Sequence, residues 1–286
     1  MHFSYIALKL LYNICMLLPR ILTALVGIPL VIAAIYFGGI VFMVFVFAII
    51  MACLYEYGLV LLNAKKPVSR IGLIIFGVLM AVAAMAGRLP DVLELPSNIS
   101  GFFIALSLFG LFFFEMFSKK PSFERVANTF LGIMLIPWCL VHLINLLMLA
   151  PYGEYFVYIL FFAVWANDIA AYLIGCWIGK HRLQEQVSPK KSWEGSIAGF
   201  LAAIGVTMFC WDLFFPWYIT WQQALVLGAV ISVLAQVSDL AESLFKRGAG
   251  VKDSSGFLPG HGGVLDRFDA FLLTAPVIYY LVLFMI

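Results

Sequence analysis

Between Ser243 and Asp269 the chain reads SLFKRGAGVKDSSGFLPGHGGVLDRFD, with three aspartates, four basic side chains, one histidine and six glycines in 27 residues. These residue types suit the handling of phosphate. Glycines let backbone N–H groups approach an anion closely, and Lys or Arg neutralises its charge. Lys246, Arg247, Lys252 and Arg267 are spread here among Gly248, Gly250, Gly256, Gly260, Gly262 and Gly263. Asp239, Glu242, Ser243 and Lys246 precede them at three- and four-residue steps, which places them on one helical face. Asp266 and Asp269 stand three apart where the next apolar run begins. Two acidic helix turns meeting across a glycine-rich loop make a cage for a hard divalent cation, which takes carboxylate oxygens and waters. Spacing alone leaves a second outcome open, in which Asp239 pairs with a Ser or Lys of its own helix. A basic loop at a membrane surface would explain the lysines and arginines, but not His261-Gly262-Gly263 or the acidic pair beside them.

A second polar cluster lies upstream. Asp168 and Tyr172 are four apart and share a face, next to Asn167. Gly179-Lys180-His181-Arg182 follows, and then Ser188-Pro189-Lys190-Lys191-Ser192-Trp193-Glu194-Gly195. Ser188 to Lys191 is expected to be a turn leading into a helix start, with both lysines presented to the same side as the first cluster. Trp193 reads as an interfacial belt residue. His181 and His142 are expected to be structural, His142 as a satisfied polar group in the core.

The elements that position these groups follow from composition. Of 286 residues 64% are hydrophobic and 11% charged, and the mean hydropathy is +1.07. Soluble domains carry about a quarter charged residues, so the chain is expected to be an all-α, polytopic integral membrane protein. The alternating short strands of a barrel are missing. Nine spans are predicted, at 21–37, 40–62, 71–87, 99–117, 128–150, 154–178, 195–215, 222–246 and 265–286. The first two are separated by Gly38-Gly39 as a tight hairpin. Residues 1–20, with Lys9 in the middle of 2–18, are expected to lie at the interface as an amphipathic helix, with a short extra span as the alternative. The remainder divides into lipid-adapted helices over 21–150 and a catalytic region over 151–286. The cysteines, Cys15, Cys53, Cys139, Cys176 and Cys210, each sit in an apolar run without metal spacing, and are expected to be small core residues.

Charge tests the span count. Alternate loops carry Lys65, Lys66 and Arg70; Lys119, Lys120 and Arg125; Lys180, Arg182, Lys190 and Lys191; and Lys246, Arg247, Lys252 and Arg267, against only Arg88 on the other side. Lys and Arg mark the cytoplasmic side, so the amino terminus and the glycine-rich segment are expected inside and the carboxyl terminus outside. Ionisable residues within spans are costly and usually functional. Of these, Glu56 and Glu115 are expected to be interfacial anchors or ion-pair partners, and Asp212 to be hydrated near the outer end.

The run Ser243-x-Phe245-Lys246-Arg247-x4-Lys252-Asp253-x-Ser255-x2-Leu258-Pro259-x-His261-Gly262-Gly263-Val264-x-Asp266-Arg267-Phe268-Asp269 resembles the signature of the phosphatidate cytidylyltransferases, also called CDP-diacylglycerol synthases. The stretch from Asn167 to Lys180 and the Ser188–Gly195 segment also resemble that family. The likeness covers about 160–270, and the chain's size is similar to that of bacterial members. The resemblance implies that CTP and phosphatidate give CDP-diacylglycerol and pyrophosphate, with Mg2+ required and a second cation such as K+ beside it. It implies Asp239 and Asp266 as metal ligands, with Asp269 close by. It makes Asp239, Asp266, Lys246, Arg247 and His261 catalytic. Asp168, Ser188, Lys190, Lys191, Lys252, Arg267, Gly262 and Gly263 would bind substrate. The expected partners are CTP, phosphatidate, the bilayer and a second copy of the chain in a homodimer, with no nucleic acid. The expected location is a bacterial inner membrane, with the active site facing the cytoplasm. Two other readings compete. A CTP-dependent lipid kinase of the dolichol-kinase kind would release CDP, and a transporter of an anionic solute would carry polar groups through the membrane depth.

Overall fold

A computed structural model of the chain describes residues 23, 25–86, 99–257 and 262–286. The expected interfacial segment 1–20, Arg88 and His261 lie outside the described residues. Helix α1 spans Leu25–Phe37 and stops at Gly38, where φ is 55°, a left-handed value that glycine adopts without Cβ strain. Helices α2 (Gly39–Asn63), α3 (Arg70–Ala86) and α4 (Ile99–Met116) follow. Helix α5 (Phe123–Ile133), a π-helical turn (Met134–Trp138) and α6 (Cys139–Leu147) form one continuous rod. The π turn holds Pro137, which has no N–H to give to the preceding turn and so widens the helix locally. Helices α7 (Gly153–Ile178), α8 (Trp193–Phe214), α9 (Trp221–Gly248) and α10 (Leu265–Met285) complete the bundle.

Among the described residues these make nine rods, matching the nine expected spans. Six are long and apolar enough to cross a membrane, and α1, α3 and α4 are shorter. The chain is an all-α polytopic membrane protein. Its buried apolar side chains form one cluster running from Val31 to Val282, while Phe117, Trp177, Phe209 and Phe284 point outward, where lipid tails would receive them.

Two boundaries differ from expectation because serines cap them. The fifth rod begins at Phe123 rather than 128, since the Ser122 side chain accepts from the Arg125 N–H. Helix α8 begins at Trp193 rather than 195, since Ser192 accepts from the Gly195 N–H. Such caps satisfy N–H groups that lack a partner inside the helix.

The Ser188–Lys191 segment corrects the expectation of a turn into a helix. Ser188–Ser192 is a strand, β2, paired antiparallel with β1 (Arg182–Gln184). Pro189 has no N–H to give to a helical turn, and the hairpin satisfies backbone groups that would otherwise be exposed between α7 and α8.

Several basic connections meet at one end of the bundle. Asn128 Nδ2 donates to the Pro67 carbonyl at 2.9 Å and Thr129 Oγ1 accepts from the Ser69 N–H at 2.9 Å. Arg247 Nε donates to the Val187 carbonyl at 3.3 Å. Helices α7 and α8 pack through glycines. A Cβ on Gly195 would strike the Ala171 carbonyl, and one on Gly199 would strike Asn167. Small residues four apart let helix backbones approach closely in a membrane, and here they bring Asn167 and Asp168 beside the start of α8.

Candidate active site

At that polar end a cavity of about 450 Å³ opens between α7, α8, α9, α10 and the hairpin. Its walls hold five aspartates (Asp168, Asp239, Asp253, Asp266 and Asp269) and four basic side chains (Lys190, Lys191, Lys246 and Arg267). They come from four different elements and the loop after α9. Helix α7 supplies Asp168, β2 the two lysines, α9 Asp239 and Lys246, and α10 Asp266, Arg267 and Asp269. Tyr172 and Cys176 stand at the α7 margin.

The carboxylates are held by cations of the protein. Lys191 Nζ lies 2.5 Å from Asp239 Oδ2. Lys246 Nζ bridges Glu242 Oε2 at 2.6 Å and Asp266 Oδ1 at 2.7 Å. Asp266 Oδ2 also accepts from the N–H groups of Gly263 at 2.7 Å and Ser254 at 3.0 Å. A single carboxylate bound on both oxygens has a fixed direction. Beneath Asp168 a buried network holds it in place. Asn167 Nδ2 donates to Asp168 Oδ1 at 3.1 Å, while Asn167 Oδ1 accepts from Ser232 Oγ at 2.7 Å and Gln236 Nε2 at 2.9 Å. Gln236 also meets the Ser196 hydroxyl. Polar groups this deep in an apolar bundle need partners, and these four residues supply one another.

The structure therefore brings together Asp168, Lys190, Lys191, Asp239, Lys246, Asp266, Arg267 and Asp269 around one space. Other expected site residues stand off it. Arg247 is exposed and ties the end of α9 to the hairpin. Ser188 begins β2, and Lys252 is exposed on the following loop. Gly263 gives its N–H to Asp266. A Cβ there would collide with Ser254 Oγ and the Glu56 carboxylate, and one on Gly262 (φ 78°) would meet Asp266 Oδ2. These glycines make room for carboxylates of the chain itself.

Sequence reasoning passed over two groups. Gln236 and Ser196 carry no motif and show only as polar residues within spans. Glu56, read as an interfacial anchor, is 2% exposed and reaches the glycine-rich segment instead. Its signal was a carboxylate facing no basic partner on its own helix. Other expectations hold. Glu115 pairs with Arg125 at 2.7 Å, and His142 Nδ1 lies 2.7 Å from the Trp138 carbonyl in the core. His181 pairs with Glu194, outside the cavity lining. Cys53, Cys139 and Cys210 are buried, but Cys176 is exposed because its face of α7 borders the cavity.

The fit to a metal ion follows from the donor set. Among the described residues no three His, Cys, Asp or Glu side chains converge on one point. Asp239 and Asp266 are turned to Lys191 and Lys246, so the all-carboxylate cage expected from Asp239, Asp266 and Asp269 is not preformed. Mg2+ characteristically takes one or two carboxylates and completes its shell with waters and substrate phosphates. Five aspartates on one cavity fit that demand, and the lysine ammoniums occupy positions where positive charge is stabilised.

Lysines and aspartates facing one cavity at the polar end of a membrane bundle define a membrane-embedded enzyme that handles phosphate groups. The model of the cytidylyltransferase family matches residues 18–285. A phosphatidate cytidylyltransferase of Synechocystis sp. is 31% identical over 291 residues, covering 93% of this chain and 97% of that protein. One from Staphylococcus saprophyticus is 32% identical over 267 residues, covering 92% and 98%, and one from Staphylococcus aureus is 32% identical over 269 residues with the same coverage. The chain belongs to the cytidylyltransferase family. It is a nucleotidyltransferase.

Proposed function

We propose that the chain joins CTP to phosphatidate, giving CDP-diacylglycerol and pyrophosphate for phospholipid synthesis. The observation that carries this reading is the single cavity lined by both aspartates and lysines, on a bundle similar over nine-tenths of its length to proteins named for that reaction.

The chemistry brings two polyanions together. A phosphate oxygen of phosphatidate attacks the α-phosphorus of CTP, a new P–O bond forms, and the bond from the α-phosphorus to its bridging oxygen breaks to release pyrophosphate. The nucleophile is already an anion at neutral pH, so no strong general base is required. What must be supplied is charge cancellation and in-line geometry. Lys190, Lys191, Lys246 and Arg267 would neutralise the two substrates, and Asp168 with the Asn167 network would fix the depth to which they enter. Mg2+, held by Asp239 and Asp266 with Asp269 adjacent, would supply Lewis-acid stabilisation of charge on the phosphoryl oxygens. The same acidic wall would accept a second cation such as K+. Ser188, Lys252 and Arg247 would act at the rim of the cavity, and His261 would position the substrate. The exposed α7 margin at Tyr172 would admit the lipid sideways, and the positive-inside pattern would set the site on the cytoplasmic face of an inner membrane.

Purified protein incubated with CTP, phosphatidate and Mg2+ is expected to form CDP-lipid and pyrophosphate in equal amounts. Formation of CDP in place of pyrophosphate would replace this reading with a lipid kinase.

A further inference from the structure

Glu56 belongs to α2, in the part of the chain otherwise made of lipid-adapted helices, yet its carboxylate is filled by the glycine-rich segment. Oε1 accepts from Ser255 Oγ at 2.7 Å and the Val264 N–H at 2.9 Å. Oε2 accepts from Ser254 Oγ at 2.9 Å and the Leu265 N–H at 2.8 Å. A carboxylate offers about four lone-pair sites, so all are in use. The donors come from both ends of the 254–265 segment and include the first N–H groups of α10, where negative charge is favoured. The Ser254 hydroxyl also lies 3.0 Å from Asp266 Oδ2, so one hydroxyl stands between the Glu56 and Asp266 carboxylates. Next to it, Tyr57 stacks on Phe245 with centroids 4.8 Å apart, one residue before the lysine that grips Asp266. Helix α2 therefore touches Ser254, which donates to Asp266, and Phe245, the neighbour of Lys246.

We infer that Glu56 is a positioning residue for the cytidylyl transfer, acting through Ser254 and the start of α10 to hold the Asp266 carboxylate toward the cavity. This rests on the proposed reaction. It makes the amino-terminal helices part of the catalytic unit. Glu56→Gln tests it with little change in volume, because the new NH2 must face a backbone N–H and cannot accept from it.

In purified Glu56→Gln, kcat for CDP-lipid formation is expected to fall about 100-fold, the scale on which a displacement near 1 Å acts. The KM for CTP is expected to stay within about threefold, and the unfolding midpoint within a few degrees, because opening is local. Amide exchange is expected to quicken at 254 and 263–265 and to stay unchanged in the rest of α10. A kcat within about threefold of wild type overturns the inference. So does faster exchange throughout α2 and α10 with a lowered midpoint, which would mark a purely structural tie. Should Glu56→Gln not accumulate in membranes, the double variant Ser254→Ala, Ser255→Ala removes two of the four donors without touching α2. It is expected to lose at least tenfold in kcat, and full activity would overturn the inference. A wild-type protein that forms no CDP-lipid would instead overturn the reaction reading, while the exchange pattern would still test the Glu56 tie.

Discussion

Asp266 is held from several sides, because an ammonium, two backbone N–H groups and a serine hydroxyl all converge on it. That convergence stores no reserve of alternatives, so removing the charge should remove the function. Asp266→Asn is expected to insert and fold, since Lys246 keeps Glu242 as partner, but to lose at least about 100-fold in CDP-lipid formation, the scale for one preorganised electrostatic contact. Assay of the purified variant in saturating Mg2+ checks this, and near-normal turnover would take Asp266 out of the site. At this scale the sequence spoke unevenly. The aspartates and lysines announced themselves by standing out from apolar surroundings. The purpose of Gly262 and Gly263 did not, because a glycine near an anion looks the same whether the anion is a substrate phosphate or the chain's own carboxylate. Glu56 was visible as a charge within a span, but its partners lie about 200 residues away, and no local pattern reports a contact at that distance.

At the scale of elements, apolar run length and basic connections were sufficient to place nine rods, because a membrane bundle leaves few other uses for such runs. What they could not show was how closely two rods approach. Gly195 faces the Ala171 carbonyl and the Gly175 backbone, so α7 and α8 touch through main chain. Gly195→Ala is expected to push them apart and destabilise the bundle by about 1–3 kcal/mol, the cost of overpacking. Thermal unfolding in detergent should show a lower midpoint, together with reduced kcat because Asp168 moves with α7. An unchanged midpoint would mean that the helices can separate freely. The hairpin was also hidden. Lys190 and Lys191 read equally well as a loop, and only the pairing of β2 with β1 aims Lys191 at Asp239.

Among the described residues the ion pairs gather at one end of the bundle, with large apolar side chains exposed around the rest. A transporter would need polar groups through the full depth, whereas an enzyme joining a lipid to a soluble nucleotide needs them at one interface. The side that this end faces is open to direct measurement. Gly256 is exposed, and a Gly256→Cys variant, made in a background with the five native cysteines replaced by serine, is expected to react in sealed inverted vesicles with a membrane-impermeant maleimide, which would be excluded in right-side-out cells. The reverse pattern would overturn the orientation. The central claim concerns which phosphorus is attacked. CTP carrying radioactive phosphorus at either the α or the γ position, incubated with phosphatidate, Mg2+ and the purified protein, separates the possibilities in one experiment. The account predicts that α label enters the lipid product and γ label leaves as pyrophosphate. Transfer of γ label to the lipid, or α label remaining in soluble CDP, would contradict it.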